Sequence, residues 1–272
     1  MALAFSVNTN PGALTALKAL NSTNQSLSVT QNRINTGFKV AGAADGAAIF
    51  AIAQNLRADV GGLNAVQQVL DRSISVVDVA LNAAETISDL LVSLREKAVA
   101  ASDPGLDAAS RTALQDEFQQ IRAQIDSTVA SADFNGTNLI KATPDSVSAI
   151  NVNGSTVFTI TGQDLGAATL GVASAFATAT AAAAAVTSLD TAVTTVNTVL
   201  SKLGSGQNRL QLQKDFTTNL KDSLEVGIGN LVDADLARES ASLQALQVKQ
   251  QLGLQALGIA NQAPSSVLAL FR

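Results

Sequence analysis

The chain has 272 residues, 47% of them apolar, yet its only aromatic residues are nine Phe, and this Ala-, Leu-, Val- and Ile-weighted composition suits long helices packed side against side. It contains no His, Cys, Trp or Tyr, which removes the common nucleophile–base pairs and the preferred ligands of zinc, haem and iron–sulfur centres, so no enzyme, cofactor or metal site is expected. The net charge of −5 is uneven: residues 1–43 carry Lys18, Arg33 and Lys39 with no acid, whereas 44–140 carry 13 acids against 6 bases; with no basic patch or stacking platform, no nucleic-acid partner is expected.

The opening MALAFSVNTN lacks the charged and apolar regions of a cleaved secretory signal, so any export is expected to use another route. Asn10-Pro11 then reads as a helix start, a capping residue followed by Pro at the first helical position. Ala13, Leu17, Leu20, Asn24, Leu27, Gln31, Ile34 and Phe38 follow at alternating spacings of four and three, a coiled-coil seam whose polar members Asn24 and Gln31 favour register over strength. Gly37, Gly42 and Gly46 read as a bent connector.

A second helix is predicted over 47–101, with Leu63, Leu70, Val77, Ala84, Leu91 and Ala98 seven residues apart, supported by Ile74 and Leu81. At 1.5 Å per residue it reaches on the order of 80 Å, the length of a rod. Ser102-Asp103-Pro104-Gly105 ends it. A third helix carries Leu114, Ile121 and Thr128 on one heptad position and Phe118, Ile125 and Ala132 on the other, and stops at Phe134-Asn135-Gly136.

From about 139 to 171 the period shortens. Ile150-Asn151-Val152 and Val157–Ile160 flank Asn153-Gly154, a strong hairpin signal. The Ala/Thr/Ser tract 173–185 fits a linker or a helix lead-in equally well, and Val172–Val186, the most apolar run, is too short and too Ala-rich to span a membrane. A heptad then returns at Leu189, Val196, Leu203, Leu210, Thr217, Leu224 and Leu231, with Gly227–Asn230 read as a joint. The fold expected is mainly α: a long antiparallel helical bundle or coiled-coil rod with a small β-hairpin at its far end.

The last helix carries two apolar arcs. Ala237, Ala241, Ala245, Val248, Leu252, Ala256 and Ile259 fill about 100° of the helical wheel, and Leu236, Leu243, Leu246, Leu254 and Leu257 lie roughly opposite. The N-terminal helix covers one arc, so the other requires a further partner. A polar face rich in Gln, with only Arg238 and Lys249, argues against membrane insertion and for a second copy of the chain. The self-assembly set is therefore Leu17, Leu20, Asn24, Leu27, Gln31 and Ile34 with Leu236, Leu243, Leu246, Val248, Leu252, Leu254, Leu257 and Ile259. Burial within one molecule does not offset the cost of ordering these ends, so they are expected to fold as neighbours arrive. The glycine pairs Gly42/Gly46 and Gly204/Gly206 lack the strand-to-helix setting and following Lys of a phosphate loop. Asp233, Asp235 and Glu239 suit a helix start better than a cation site.

NRINTGFKV and AGAADGAA, then LREKAVAAS, FNGTNLI, QNRL at 207–210, DADLARES at 233–240 and the closing ANQAPSSVLALFR resemble flagellin motifs, in flagellin order and at both ends. The resemblance covers residues 1 to about 141 and about 187 to 272 and implies a minimal flagellin without large surface domains. It implies an inner-core helical domain formed by 1–43 and 231–272, and an outer-core domain, 44–230, holding the hairpin. It further implies a non-enzymatic, extracellular subunit of the flagellar filament, a helical homopolymer for swimming motility, whose partners are the flagellar secretion apparatus, a secretion chaperone, the filament cap and the hook-junction proteins. A hook–filament junction protein is the nearest alternative, since such proteins resemble flagellin at both ends. In some flagellins the segment matching Leu91–Ala100, with an acid matching Glu117, is read by an innate immune receptor. Here Arg95, Glu96 and Glu117 fit, but Ser93 and Lys97 replace a basic and an apolar residue, so weak or absent recognition is expected.

Overall fold

The computed structural model describes residues 9–268. In chain order these form α1 (Pro11–Thr36), α2 (Ala43–Ala101), α3 (Ala108–Ser131), the strands β1 (Ser146–Ile150) and β2 (Thr156–Thr161), α4 (Ala179–Val232) and α5 (Leu236–Leu268). The described residues are mainly α, as the heptads require, with one antiparallel strand pair. They divide into two compact units, one made of the segments up to Ala58 and from Ser223, the other of Asp59–Asp222. Residues 1–8 and 269–272, assigned from sequence to the terminal helical domain, lie outside the described residues.

Within the 59–222 unit α2 and α4 run antiparallel in one unbroken register. Gln67 donates to Thr218 at 2.9 Å, Lys214 pairs with Asp71 at 2.7 Å, Gln207 donates to Asp78, and Arg95 pairs with Asp190 at 2.6 Å. From 67 to 95 on α2 the partner falls from 218 to 190, step for step. Leu63, Leu70, Val77, Ala84, Leu91 and Ala98 are all buried, and so is the series three residues on, Val66, Ser73, Ala80, Ile87, Leu94 and Ala101. Two such lines make a stripe wide enough to meet both α3 and α4. From α4 come Leu189, Val196, Leu203, Leu210 and Thr217, and from α3 Phe118, Ile125, Val129 and then Ala132.

The tract that composition left open resolves at Ala179. Before it lies Phe176, fully buried, its ring edge-on to Phe118 with centroids 5.0 Å apart. The Thr178 hydroxyl accepts from Ala181 N at 3.2 Å, a serviceable helix cap, and Ala182 and Ala185 enter the core. At the start of α3, Asp107 accepts from Ser110 N at 2.9 Å and from Ser110 Oγ at 2.8 Å, and these bonds hold its carboxyl below the ordinary aspartate value. Past α3, Asn135 and Gly136 both take positive φ in a two-residue turn closed by the Phe134–Thr137 bridge.

Two expectations are corrected here. The hairpin lies along the helices, not beyond their end. A Cβ on Gly206 of α4 would stand 2.8 Å from Ile160 Cδ1, and one on Gly62 of α2 would stand 2.5 Å from a Val152 methyl. In the α2–α4 register Gly206 is level with Val79, about 17 residues or 25 Å from Gly62, and since Val152 lies at the turn of the hairpin and Ile160, opposite Val147, toward its open end, the hairpin runs lengthwise along that stretch. The two glycines are the notches that let the hairpin down onto the pair, and the Arg209 guanidinium closes over the Phe158 ring at 4.1 Å. The second correction concerns Gly227–Asn230, which does not break α4. A glycine inside a helix costs only about 1 kcal/mol, and the helix runs on to Val232. The joint is Asp233–Asp235, where the Asp235 carboxylate accepts from the backbone N–H groups of Ala237 and Arg238 at 3.0 and 3.1 Å.

Candidate self-assembly surface

The surface is built on α1 and α5, which pair antiparallel in the unit holding both chain ends. Asn10 does two jobs at the start of α1: its Oδ1 accepts from Ala13 N at 3.1 Å, capping the helix, and its Nδ2 donates to the Ala260 carbonyl at 2.6 Å. Gln250 donates to Asn24 at 2.8 Å midway, and Arg33 pairs with Glu239 at 3.1 Å near the other end. Gly37 takes φ 74 to close α1, a left-handed conformation that L side chains resist, and its N–H bonds to the Arg33 carbonyl. The chain then crosses back under its own far end, with Lys39 and Val40 donating to the Val232 carbonyl and Ala234 to that of Gly37.

The seam differs from the expected one. Ala13, Leu20, Leu27 and Ile34 do face α5, but the alternate line is Ala16, Thr23 and Thr30, not Leu17, Asn24 and Gln31, which are exposed. Small side chains explain the choice. Ala16 and Thr23 let α5 approach until a Cβ on Gly253 would stand 3.2 Å from Leu20 Cδ1. A Leu on that line would hold the helices apart. Asn24 still reaches α5, from the rim.

On α5 the inward positions are Glu239, Ser242, Leu243, Leu246, Gln250, Gly253, Leu257 and Ala260, all half-buried. The Leu arc therefore divides: Leu243, Leu246 and Leu257 turn toward α1, while Leu236 and Leu254 stay exposed. The opposite arc is uncovered along its whole length, with Val248, Leu252 and Ile259 exposed by 54, 58 and 70% between the equally exposed Ala237, Ala241, Ala245 and Ala256. On α1, Leu14 and Leu17 are exposed as well. Stacking of α1 and α5 thus satisfies one face of each and leaves an apolar stripe on the other. Spacing alone did not separate the two heptad offsets; the signal that would have done so is the run of short residues at 16, 23 and 30 opposite a glycine.

The residues of the segment linked to immune recognition sit in the other unit. Arg95 is engaged with Asp190, Glu96 is exposed, and Lys97 pairs with Glu117 at 2.5 Å. Among the described residues no cluster of three metal-ligating side chains occurs, and no helix is long and apolar enough to cross a membrane.

Residues 7–144 match the family model of the bacterial flagellin N-terminal helical region, and 186–271 that of the C-terminal helical region. The chain belongs to the bacterial flagellin family. It is 48% identical over 269 residues to flagellin FljM of Caulobacter vibrioides, with 98% of each chain covered, and 37% identical over 281 residues to a flagellin of Brucella melitensis, covering 98% and 99%. Its fold is similar to that of crystalline Bacillus cereus flagellin, with a TM-score of 0.51 at 24% identity over 55% of this chain and 88% of that one. A putative flagellar hook-associated protein from Vibrio parahaemolyticus shares the fold at a TM-score of 0.56 but only 13% identity, covering 70% of this chain and all of that one. Full-length identity to flagellins, against fold alone for the hook-associated protein, makes this chain a structural subunit of the flagellar filament that polymerises with itself.

The Gly253–Leu20 approach carries a prediction for this flagellin. Gly253→Val overfills the α1–α5 contact, costing about 1–3 kcal/mol. Amide hydrogen exchange across 13–34 is expected to quicken while exchange in 63–98 holds; unchanged protection in α1 would show that the two helices are not held together there.

Proposed function

We propose that the filament is held through the stripes that α1 and α5 leave open, Leu14 and Leu17 on one helix and Val248, Leu252 and Ile259 on the other. The observation that carries this is the uncovered α5 arc, which no element of the same chain covers among the described residues. Burying each such side chain contributes roughly 1.5–3 kcal/mol, and a polymer repeats that gain in every copy. In this reading 1–43 and 231–272 act as an inner-core domain and 44–230 as an outer-core domain. The subunit works outside the cell, delivered by the flagellar secretion apparatus with a secretion chaperone, added beneath the filament cap and begun from the hook-junction proteins.

Purified chain added to filament seeds is expected to extend them into micrometre polymers in negative-stain micrographs. A junction protein would stop at a short assembly, and that outcome would remove the filament role. Coupling of folding to assembly has its own readout: far-ultraviolet circular dichroism of the monomer should gain helix on polymerisation, and full helicity beforehand would count against it. For immune recognition, Lys97 occupies the Glu117 carboxylate and Ser93 offers no charge. A cell-reporter assay is expected to give weak or no response, and potency equal to that of recognised flagellins would overturn the expectation.

A further inference from the structure

Asparagine is followed by glycine twice, at Asn135-Gly136 and Asn153-Gly154. In such a pair the glycine nitrogen, with no side chain beside it, can reach the Asn side-chain carbonyl and close a cyclic imide. The two dipeptides are identical, but their surroundings are not. Asn135 and Gly136 take φ 54 and 82 in a two-residue turn whose flanking residues exchange both backbone bonds, Phe134 N to Thr137 O at 3.0 Å and Thr137 N to Phe134 O at 3.1 Å. The Gly136 N–H donates to the Asp133 carboxylate at 2.9 Å. A negative charge there opposes loss of the proton that the nitrogen must shed before it attacks. Asn153 instead lies at the exposed tip of the β1–β2 hairpin, and its side chain makes no hydrogen bond among the described residues. The Gly154 N–H donates to a neutral acceptor, the Asn151 carbonyl, at 2.9 Å, and a Cβ on Gly154 would meet nothing within 4 Å. The loop is shaped by Asn151, whose Oδ1 accepts from Asn153 N at 3.1 Å and from Ser155 N at 3.0 Å. The Asn153 side chain is thus left free to turn toward Gly154.

We infer that Asn153 is a site of spontaneous deamidation, while Asn135 keeps its amide because its turn holds it. The Gly154 nitrogen gives up its proton and bonds to Asn153 Cγ, the Cγ–Nδ2 bond breaks, and ammonia leaves carrying that proton. Water then opens the imide. Addition at Cγ yields aspartate, and addition at the main-chain carbonyl yields isoaspartate, in which the chain runs through the side-chain carbon. No oxidant or reductant is involved, and water is the one co-reactant. Either product adds a negative charge to a chain that already carries −5. Isoaspartate also lengthens the backbone by a carbon directly after Val152, the residue seated in the Gly62 notch, so ageing of the protein acts on the contact that holds the hairpin to α2.

Trypsin separates the two sites, since cleavage after Arg122, Lys141 and Lys202 places Asn135 in peptide 123–141 and Asn153 in peptide 142–202. The folded full chain and a sample unfolded in guanidinium are held in the same mildly alkaline buffer, and each is mapped at intervals by tandem mass spectrometry. In guanidinium both sites are expected to convert at similar rates, because the dipeptide is the same. In the folded chain Asn153 is expected to convert, with isoaspartate among the products, and Asn135 to lag by about tenfold or more, the cost of parting Gly136 from a charged acceptor. An Asn135 that converts as fast as Asn153 in the folded chain would overturn the inference. So would an Asn153 that keeps its amide there over the period in which the unfolded sample loses it.

Discussion

Leu252→Asp is expected to leave the monomer's unfolding transition where it is and to stop filament growth. In a single molecule the side chain is more than half exposed on the side of α5 away from α1, and substitutions at such positions usually change stability by no more than about 0.5 kcal/mol. On assembly the same position goes into an apolar stripe flanked by Val248 and Ile259, where a carboxylate finds no counter-charge and costs about 3–5 kcal/mol. At about 1.4 kcal/mol per tenfold, the concentration needed for growth rises roughly 100- to 4000-fold. Gln251→Asp on the polar side of the same helix puts the same charge one residue away and should grow near the normal concentration. Light scattering during seeded growth compares the two. Equal growth of Leu252→Asp and the parent would mean that the arc is not an interface.

The heptad helices were legible because a seven-residue series constrains every turn: Leu63 to Ala98 and Leu189 to Thr217 are buried as the spacing requires. So were the α1 cap at Asn10 and the strands either side of Asn153-Gly154. What spacing left undetermined was the offset of the second line on each helix. Leu17 and Ala16 both continue a heptad from Ala13, and only the presence of Gly253 across the gap selects the smaller one. The hairpin's position was hidden for a similar reason, since Gly62 and Gly206 look like weak helix residues until Val152 and Ile160 are set against them. Phe176 was masked by its neighbours, an isolated aromatic within an Ala/Thr tract. On α5, periodicity found both arcs, yet which one faces α1 depends on Ser242, Gln250 and Gly253, residues with no apolar signal. Pairwise fit between distant segments decided each of these points, and one segment's pattern does not contain it.

Phe118→Ala is expected to cause the largest loss of stability in the 59–222 unit. The ring is fully buried where α3 meets the core and stands edge-on to Phe176, so truncation removes its own burial and strips a partner from the second ring. Aromatic-to-Ala changes in cores cost about 3–5 kcal/mol. For a unit of this size that lowers the midpoint by roughly 6–20 °C. Phe176→Ala should do comparable damage, and because each ring loses the same neighbour the double variant should fall short of the sum by about 0.5–1.5 kcal/mol. Calorimetry on the four proteins gives the cycle. Strict additivity would mean that the two rings act separately and that Phe176 merely fills space ahead of α4. Below the lowered midpoint the α5 arc is untouched, so Phe118→Ala chains should still extend seeds, the reverse of Leu252→Asp, which folds normally and does not grow.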